Sequence, residues 1–180
     1  MISGPSGAGK GTLVTRVRER RSNLGLTVSA TTRAPRKGEV DGVNYFFLTR
    51  EEFDRRVANG EFVEWAEVHG NCYGTLVSEV TSKLASGSSL ILEIDVQGAL
   101  QVKERFPEAV LIFIKPPSLE VLRDRLVGRG TETPETIELR MANAAHELAL
   151  ADRYDEVVVN DDLDRATDEL VRVLDMHERI

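Results

Sequence analysis

The sequence predicts an α/β protein: a parallel sheet flanked by helices, with a small mixed α/β lobe inserted between its strands. Three observations predict it. Apolar segments that read as strands alternate with amphipathic segments that read as helices. Residues 90–94 and 110–114 are near-continuous apolar runs, as expected of central strands covered on both faces. A glycine-rich turn, Gly4 to Thr12, stands between the first strand and the first helix.

In chain order, residues 1–3 read as the end of a first strand. Only three residues precede Gly4, so either that strand is unusually short or the natural start lies upstream. Residues 11–21 read as a helix with Leu13, Val14 and Val17 on one face. Residues 29–75 break the rhythm with short strands (45–48 and 62–68) and turns at Lys37-Gly38, Asp41-Gly42 and Gly70-Asn71. One helix lies among them, opened by the capping box Thr49-Arg50-Glu51-Glu52 and closed by Gly60. A helix over 96–106 follows the 90–94 run, and Ser118 is placed to cap another over 119–127. Thr133 with Pro134 behind it opens a helix that continues past Leu148. Residues 157–159 are a short β-branched strand, and a last helix starts near Asp164 with Leu170, Val173 and Leu174 inward.

Composition narrows the function classes. At 180 residues, 41% hydrophobic and 29% charged, the chain suits one globular domain and not a disordered one. The longest apolar run, residues 109–114, is far short of the ~20 residues a membrane span needs, and no secretory leader opens the chain. A single cysteine, Cys72, excludes an internal disulfide, and no Cys/His cluster has metal-ligand spacing. A cytoplasmic protein is expected. A net charge of −7 argues against nucleic acid or an anionic membrane as partner. Residues 1–38 nevertheless carry eight basic residues against one acid, Glu19, which suggests a local site for a small, highly charged anion.

Gly4-Pro5-Ser6-Gly7-Ala8-Gly9-Lys10-Gly11-Thr12 is a P-loop, and its chemistry explains its composition. Backbone N–H groups can all face a phosphate only where the chain turns tightly, which glycine permits through positive φ. The helix start adds its positive dipole end, and Lys10 can neutralise charge between the outer phosphates of a nucleotide. The hydroxyl that usually follows the lysine is displaced: Gly11 stands there, and Thr12 comes one residue later. Mg²⁺ is therefore expected to be held mainly by nucleotide phosphates and water, its direct protein ligands left open.

Beyond the loop, Ser29-Ala30-Thr31-Thr32-Arg33-Ala34-Pro35-Arg36, Gly38-Glu39 and residues 42–47 resemble the acceptor-binding segment of guanylate kinases. The likeness continues through Glu64-Trp65-Ala66, residues 70–75, 93–98 and 128–133, and Val159-Asn160-Asp161-Asp162-Leu163, in the expected order over essentially the whole chain. It implies one guanylate-kinase-like domain over 1–180, with a core of residues 1–28, 76–124 and 152–180, a GMP-binding lobe over 29–75 and a helical lid region over 125–151. The implied reaction is transfer of the γ-phosphoryl group of MgATP to GMP, dGMP included, by a monomer or homodimer.

By the same resemblance, Arg33, Arg36 and Tyr45 hold the phosphate of GMP, with Tyr73 on that side. Two guanidinium forks three residues apart beside a phenol make a suitable anion clamp, a solvated basic loop being the alternative. The resemblance makes Glu64 and Asp95 the readers of the base, with Ser29 and Thr75 completing the pocket. Guanine offers an N1–H and an amine that carboxylates accept, whereas adenine offers a bare lone pair, leaving a buried polar group unpaired. For Glu64 taken alone, an exposed strand residue is the commoner explanation. Asp95 is placed at the end of the 90–94 strand, where ligands of parallel sheets sit. Arg125, Arg129 and Arg140 fall where the family has its lid arginines, which with Lys10 and Arg36 align and stabilise the transferring group. Surface ion pairing with Glu120, Asp124 or Glu132 is the alternative for each arginine alone. Asn160 would lie near the adenine of ATP.

Two departures are visible: Cys72 where an aromatic often occurs, read as packing, and Glu93 where aspartate is usual. His69, His146 and His177 receive no role. An adenylate kinase shares Gly9-Lys10-Gly11-Thr12, but the 29–75 lobe argues against it. Scaffolding domains of the same likeness lack a competent P-loop, whereas this chain keeps Lys10, the glycines and three lid arginines.

Overall fold

A computed structural model describes residues 1–68, 70–85, 87, 89–128, 130 and 133–178. The elements begin with β1 (Ile2–Ser3), α1 (Lys10–Arg20), β2 (Leu24–Leu26), β3 (Ala30–Thr31), β4 (Phe46–Phe47) and α2 (Arg50–Ala58). They continue with β5 (Phe62–Val68), β6 (Asn71–Leu76), α3 (Val77–Leu84), β7 (Ser89–Ile91) and α4 (Val96–Arg105). The last are β8 (Ile112–Lys115), α5 (Leu119–Gly128), α6 (Pro134–Leu148), a 3₁₀ turn at Ala151–Arg153, β9 (Glu156–Val159) and α7 (Leu163–His177). This is the α/β class the sequence predicts. The elements fall into two compact units, Met1–Ser22 with Glu108–Ile180, and Asn23–Pro107.

The first unit is built on a parallel sheet in the order β1-β8-β9. Its centre, β8, buries Ile112, Phe113 and Ile114 almost completely, which is why residues 110–114 read as continuously apolar. Leu13, Val14 and Val17 of α1 and Ala166, Leu170 and Val173 of α7 are buried, each set repeating at helical spacing. On their outer faces the two helices are joined by ion pairs: Arg16–Asp164, Arg20–Asp168, and Arg21 with Asp175 and Glu178. Three of the eight basic residues that made the amino-terminal segment look like an anion site are thus occupied by α7.

The second unit contains a parallel pair, β2-β7, and a mixed sheet in the order β4-β3-β6-β5. A core of Ala30, Phe53, Phe62, Cys72 and Leu76 lies beneath α2, with the Phe53 and Phe62 rings stacked 4.5 Å apart. Cys72 is therefore packing, as expected. α2 begins where the capping box puts it, Thr49 Oγ1 accepting from the Glu52 amide at 3.2 Å, and ends before Gly60 at φ +68°. The Glu52 carboxylate is held by Arg55 and Arg56.

Three elements differ from expectation. The predicted 90–94 strand forms a ladder over 89–91 with a single bridge beyond it at Glu93; Leu92 and Ile94 stay buried as the backbone leaves the ladder to enter α4. α3 has no side-chain cap and no fully buried residue, so it left little signal in the sequence. The last helix begins one residue early at Leu163, because Asp162 Oδ1 accepts from the Arg165 amide at 2.9 Å. Among the described residues no helix is long and apolar enough to cross a membrane.

Candidate active site

Each unit carries one half of the residues singled out in the sequence. In the first, the loop after β1 turns through Gly4, Gly7 and Gly9, all at positive φ, before α1 starts at Lys10. Gly9 shows why no side chain is tolerated: at φ +92° an added Cβ would also lie 2.3 Å from Asn160 Nδ2. That amide donates to the Ala8 carbonyl at 2.7 Å, and the Asn160 amide nitrogen donates to the Lys115 carbonyl at 2.8 Å. Asn160, 5% exposed, therefore fastens the loop to the end of β9. Lys10 Nζ lies inside the turn and donates to the carbonyls of Gly4 and Pro5, leaving an ammonium at the centre of the loop.

Two arginines close on this loop. Arg125 of α5 donates to the carbonyls of Asn160 (2.8 Å) and Ala8 (3.4 Å), and Arg140 of α6 donates to Ser6 Oγ. They meet because Leu122 and Leu126 pack against Ile137, Ala144 and Met141, which holds α5 against α6. Arg129 falls outside the described residues. The result is a loop turned through three positive-φ glycines, with Lys10, Arg125 and Arg140 hydrogen-bonded to it.

The second half-site lies on the β4-β3-β6-β5 sheet. Arg33, after β3, rests over the rings of Tyr45 (5.3 Å) and Phe47 (5.9 Å). It donates to the Ala34 carbonyl at 2.7 Å and to Glu39 Oε1 at 2.9 Å, and Glu39 Oε2 accepts from the Arg36 amide at 2.7 Å. The Arg33 guanidinium holds the Glu39 carboxyl below its ordinary range. Arg36 is exposed, and its guanidinium makes no hydrogen bond or ion pair among the described residues. Tyr45 and Tyr73 meet edge to face at 6.1 Å, and burial pushes the Tyr45 hydroxyl pKa up.

Glu64 and Thr75 face one another across β5 and β6, and both are buried, at 3% and 0% exposure. The exposed strand residue that Glu64 resembled in isolation is ruled out. Neither Glu64 Oε1 nor Thr75 Oγ1 has a hydrogen-bond partner of good geometry. Burial pushes the Glu64 carboxyl up to about 7; neighbouring Thr75 pulls it down and the Asp95 charge pushes it further up. Asp95 itself caps α4, its Oδ1 accepting from the amides of Gln97 (2.8 Å) and Gly98 (3.0 Å). Ser29 is half-buried at the edge of this sheet, its carbonyl accepting from the Phe46 amide at 2.9 Å.

The profile of the guanylate kinase family matches residues 1–177. The chain belongs to that family. It is 53% identical to the guanylate kinase of Halalkalibacterium halodurans and 56% identical to that of Gloeobacter violaceus. Each alignment runs over 174 residues, 97% of this chain and 85% of the relative. The crystal structure of guanylate kinase from Anaplasma phagocytophilum superposes with a TM-score of 0.80 at 38% identity, covering 97% of this chain and 82% of that one.

Within this guanylate kinase fold two residues matter that the sequence did not single out by geometry. Glu39 is the carboxylate that orients Arg33, and a Gly38-Glu39 turn gives no hint of that. Gly98 is the other: it is buried in the first turn of α4, and a Cβ there would lie 2.3 Å from Glu64 Oε2. For Mg²⁺ the donor set is poor in protein ligands. Gly11 has no hydroxyl, Thr12 is exposed, and no group of three His, Cys, Asp or Glu among the described residues could hold a metal. Such a site fits a cation that arrives on the nucleotide phosphates.

Proposed function

We propose that the half-site of the first unit binds MgATP through residues 4–12 and Asn160, and that of the second binds GMP. The γ-phosphoryl group passes to the GMP phosphate, giving ADP and GDP; dGMP is accepted as well. The observation that carries this reading is the buried carboxylate of Glu64, whose Oε1 has no hydrogen-bond partner of good geometry, beside an equally unpartnered Thr75 Oγ1. A group that costly to bury needs donors from a ligand, and the N1–H and amine of guanine are such donors.

At the other end of the acceptor, Arg33, Arg36, Tyr45 and Tyr73 gather where the phosphate would lie. Glu39 pre-aims Arg33, and Arg36 is left to meet the incoming anion. In the first unit, the inward amides of the loop and the Lys10 ammonium take the β- and γ-phosphates. Arg125, Arg129 and Arg140 spread positive charge over the transferring group and keep water from it. Mg²⁺ carried in on the nucleotide would supply neutralisation of the phosphate charge, beside the ammonium of Lys10. Residues 29–75 act as the GMP-binding lobe and residues 125–151 as the lid. The chain works in the cytoplasm on small molecules, as a monomer or homodimer, without nucleic acid or membrane as partner.

Turnover of GMP and AMP measured side by side tests the reading. kcat/KM for GMP should exceed that for AMP by at least ~10³, the scale at which buried polar groups reject a ligand that cannot pair with them. Comparable turnover of AMP would remove Glu64 and Asp95 from base recognition.

A further inference from the structure

Gly98 has an ordinary helical conformation, so no unusual backbone angle requires glycine there. Glycine inside a helix is unfavourable relative to alanine, and this one sits in the first turn of α4. What distinguishes the position is close approach. An added Cβ would lie 2.3 Å from Glu64 Oε2 and 3.0 Å from Glu64 Cδ. The Glu64 carboxylate is thus laid directly against the Gly98 Cα.

The helix cannot back away. One turn on, the Gln101 side-chain amide donates to the Trp65 carbonyl at 3.1 Å, and its oxygen accepts from the Trp65 amide at 3.4 Å. Those bonds tie α4 to β5 at the residue next to Glu64. On the other side, the Gly98 amide is spent on Asp95 Oδ1. The first turn of α4 therefore sets the distance between two carboxylates, one held by a cap and one by a missing side chain.

We propose that Gly98 is a positioning residue for guanine selection: the space its absent side chain leaves is the seat that fixes the Glu64 carboxylate beside Asp95. The inference rests on Glu64 reading the base. A methyl group at 98 meets the tip of a side chain and not backbone, so Gly98→Ala displaces the carboxylate and leaves the fold.

The test compares Gly98→Ala, Glu64→Asp, Glu64→Gln and Gly98→Ala/Glu64→Asp with the unaltered enzyme, by GMP and ATP saturation kinetics and thermal unfolding. Gly98→Ala should raise KM for GMP at least ~10-fold and leave KM for ATP within about twofold. Its Tm should hold or rise by ~2–4 °C, because alanine favours the helix. The shorter aspartate withdraws from the methyl, so Gly98→Ala should cost less than about threefold in kcat/KM when made in the Glu64→Asp enzyme. If Glu64→Gln weakens GMP while Gly98→Ala leaves its KM within about twofold, the inference about Gly98 is wrong. If Glu64→Gln also changes nothing, the reading of Glu64 fails and this inference with it. A Tm lower by more than ~5 °C in Gly98→Ala would overturn the proposal too, since the collision would then be with the fold.

Discussion

Replacing Glu64 by glutamine should make the ligand-free enzyme more stable, and increasingly so as pH rises. In the folded chain burial lifts this carboxyl from its ordinary 4.5 to about 7. Below about pH 4.5 it is neutral folded and unfolded, and contributes nothing to pH dependence. Between 4.5 and 7 the unfolded chain has released the proton while the folded chain retains it, so wild-type stability falls as pH rises through that window. Above about 7 both states are ionised and the full penalty remains, roughly 3 kcal/mol at about 1.4 kcal/mol per pKa step. At pH 5 less than about 1 kcal/mol of it has developed, so the swing between pH 5 and 8.5 is about 2–3 kcal/mol. Glutamine does not titrate, and comparing the two pH values cancels the fixed cost of burying its amide. Calorimetry of both proteins without nucleotide should therefore show the Tm difference moving in favour of Glu64→Gln by ~5–10 °C from pH 5 to 8.5. A difference independent of pH, or one that moves the other way, would refute the desolvated carboxylate.

Two further substitutions address the geometry around each half-site. Gly9→Ala forces a left-handed backbone on a residue with a side chain and drives its methyl into Asn160 Nδ2; Tm should fall by ~3–8 °C and kcat by at least ~100-fold, and wild-type kinetics would show that the loop shape is dispensable. Glu39→Ala frees Arg33 from its fixed orientation, so KM for GMP should rise ~5–30-fold while kcat changes less than about threefold; an unchanged KM would mean that Arg33 needs no partner to be aimed.

What the sequence makes legible here is what short-range rules govern. The P-loop is read from glycine spacing because the turn demands positive φ within six residues. The starts of α2 and α6 are read from Thr49 and Thr133 because the cap is three residues from its partner. What escapes is decided by distant partners. Asn160 gives no sign that it grips Ala8, and Arg16, Arg20 and Arg21 look like an anion site until α7 is seen to neutralise them. Asp95 looks like the end of a strand because residues 90–94 are apolar except for Glu93, yet the ladder stops at Ile91 and the chain turns into α4. Glu64 could not be known as buried from Phe62-Val63-Glu64-Trp65-Ala66-Glu67-Val68, since a strand pattern does not say which face is covered.

The bond from Asn160 to Ala8 joins residues 152 positions apart, and it has a consequence for synthesis. On the ribosome the glycine-rich turn emerges well before its clasp. A nascent chain ending before residue 160 has the complete motif but lacks the Asn160 clasp on Ala8, so tight nucleotide capture should begin only when β9 has left the exit tunnel.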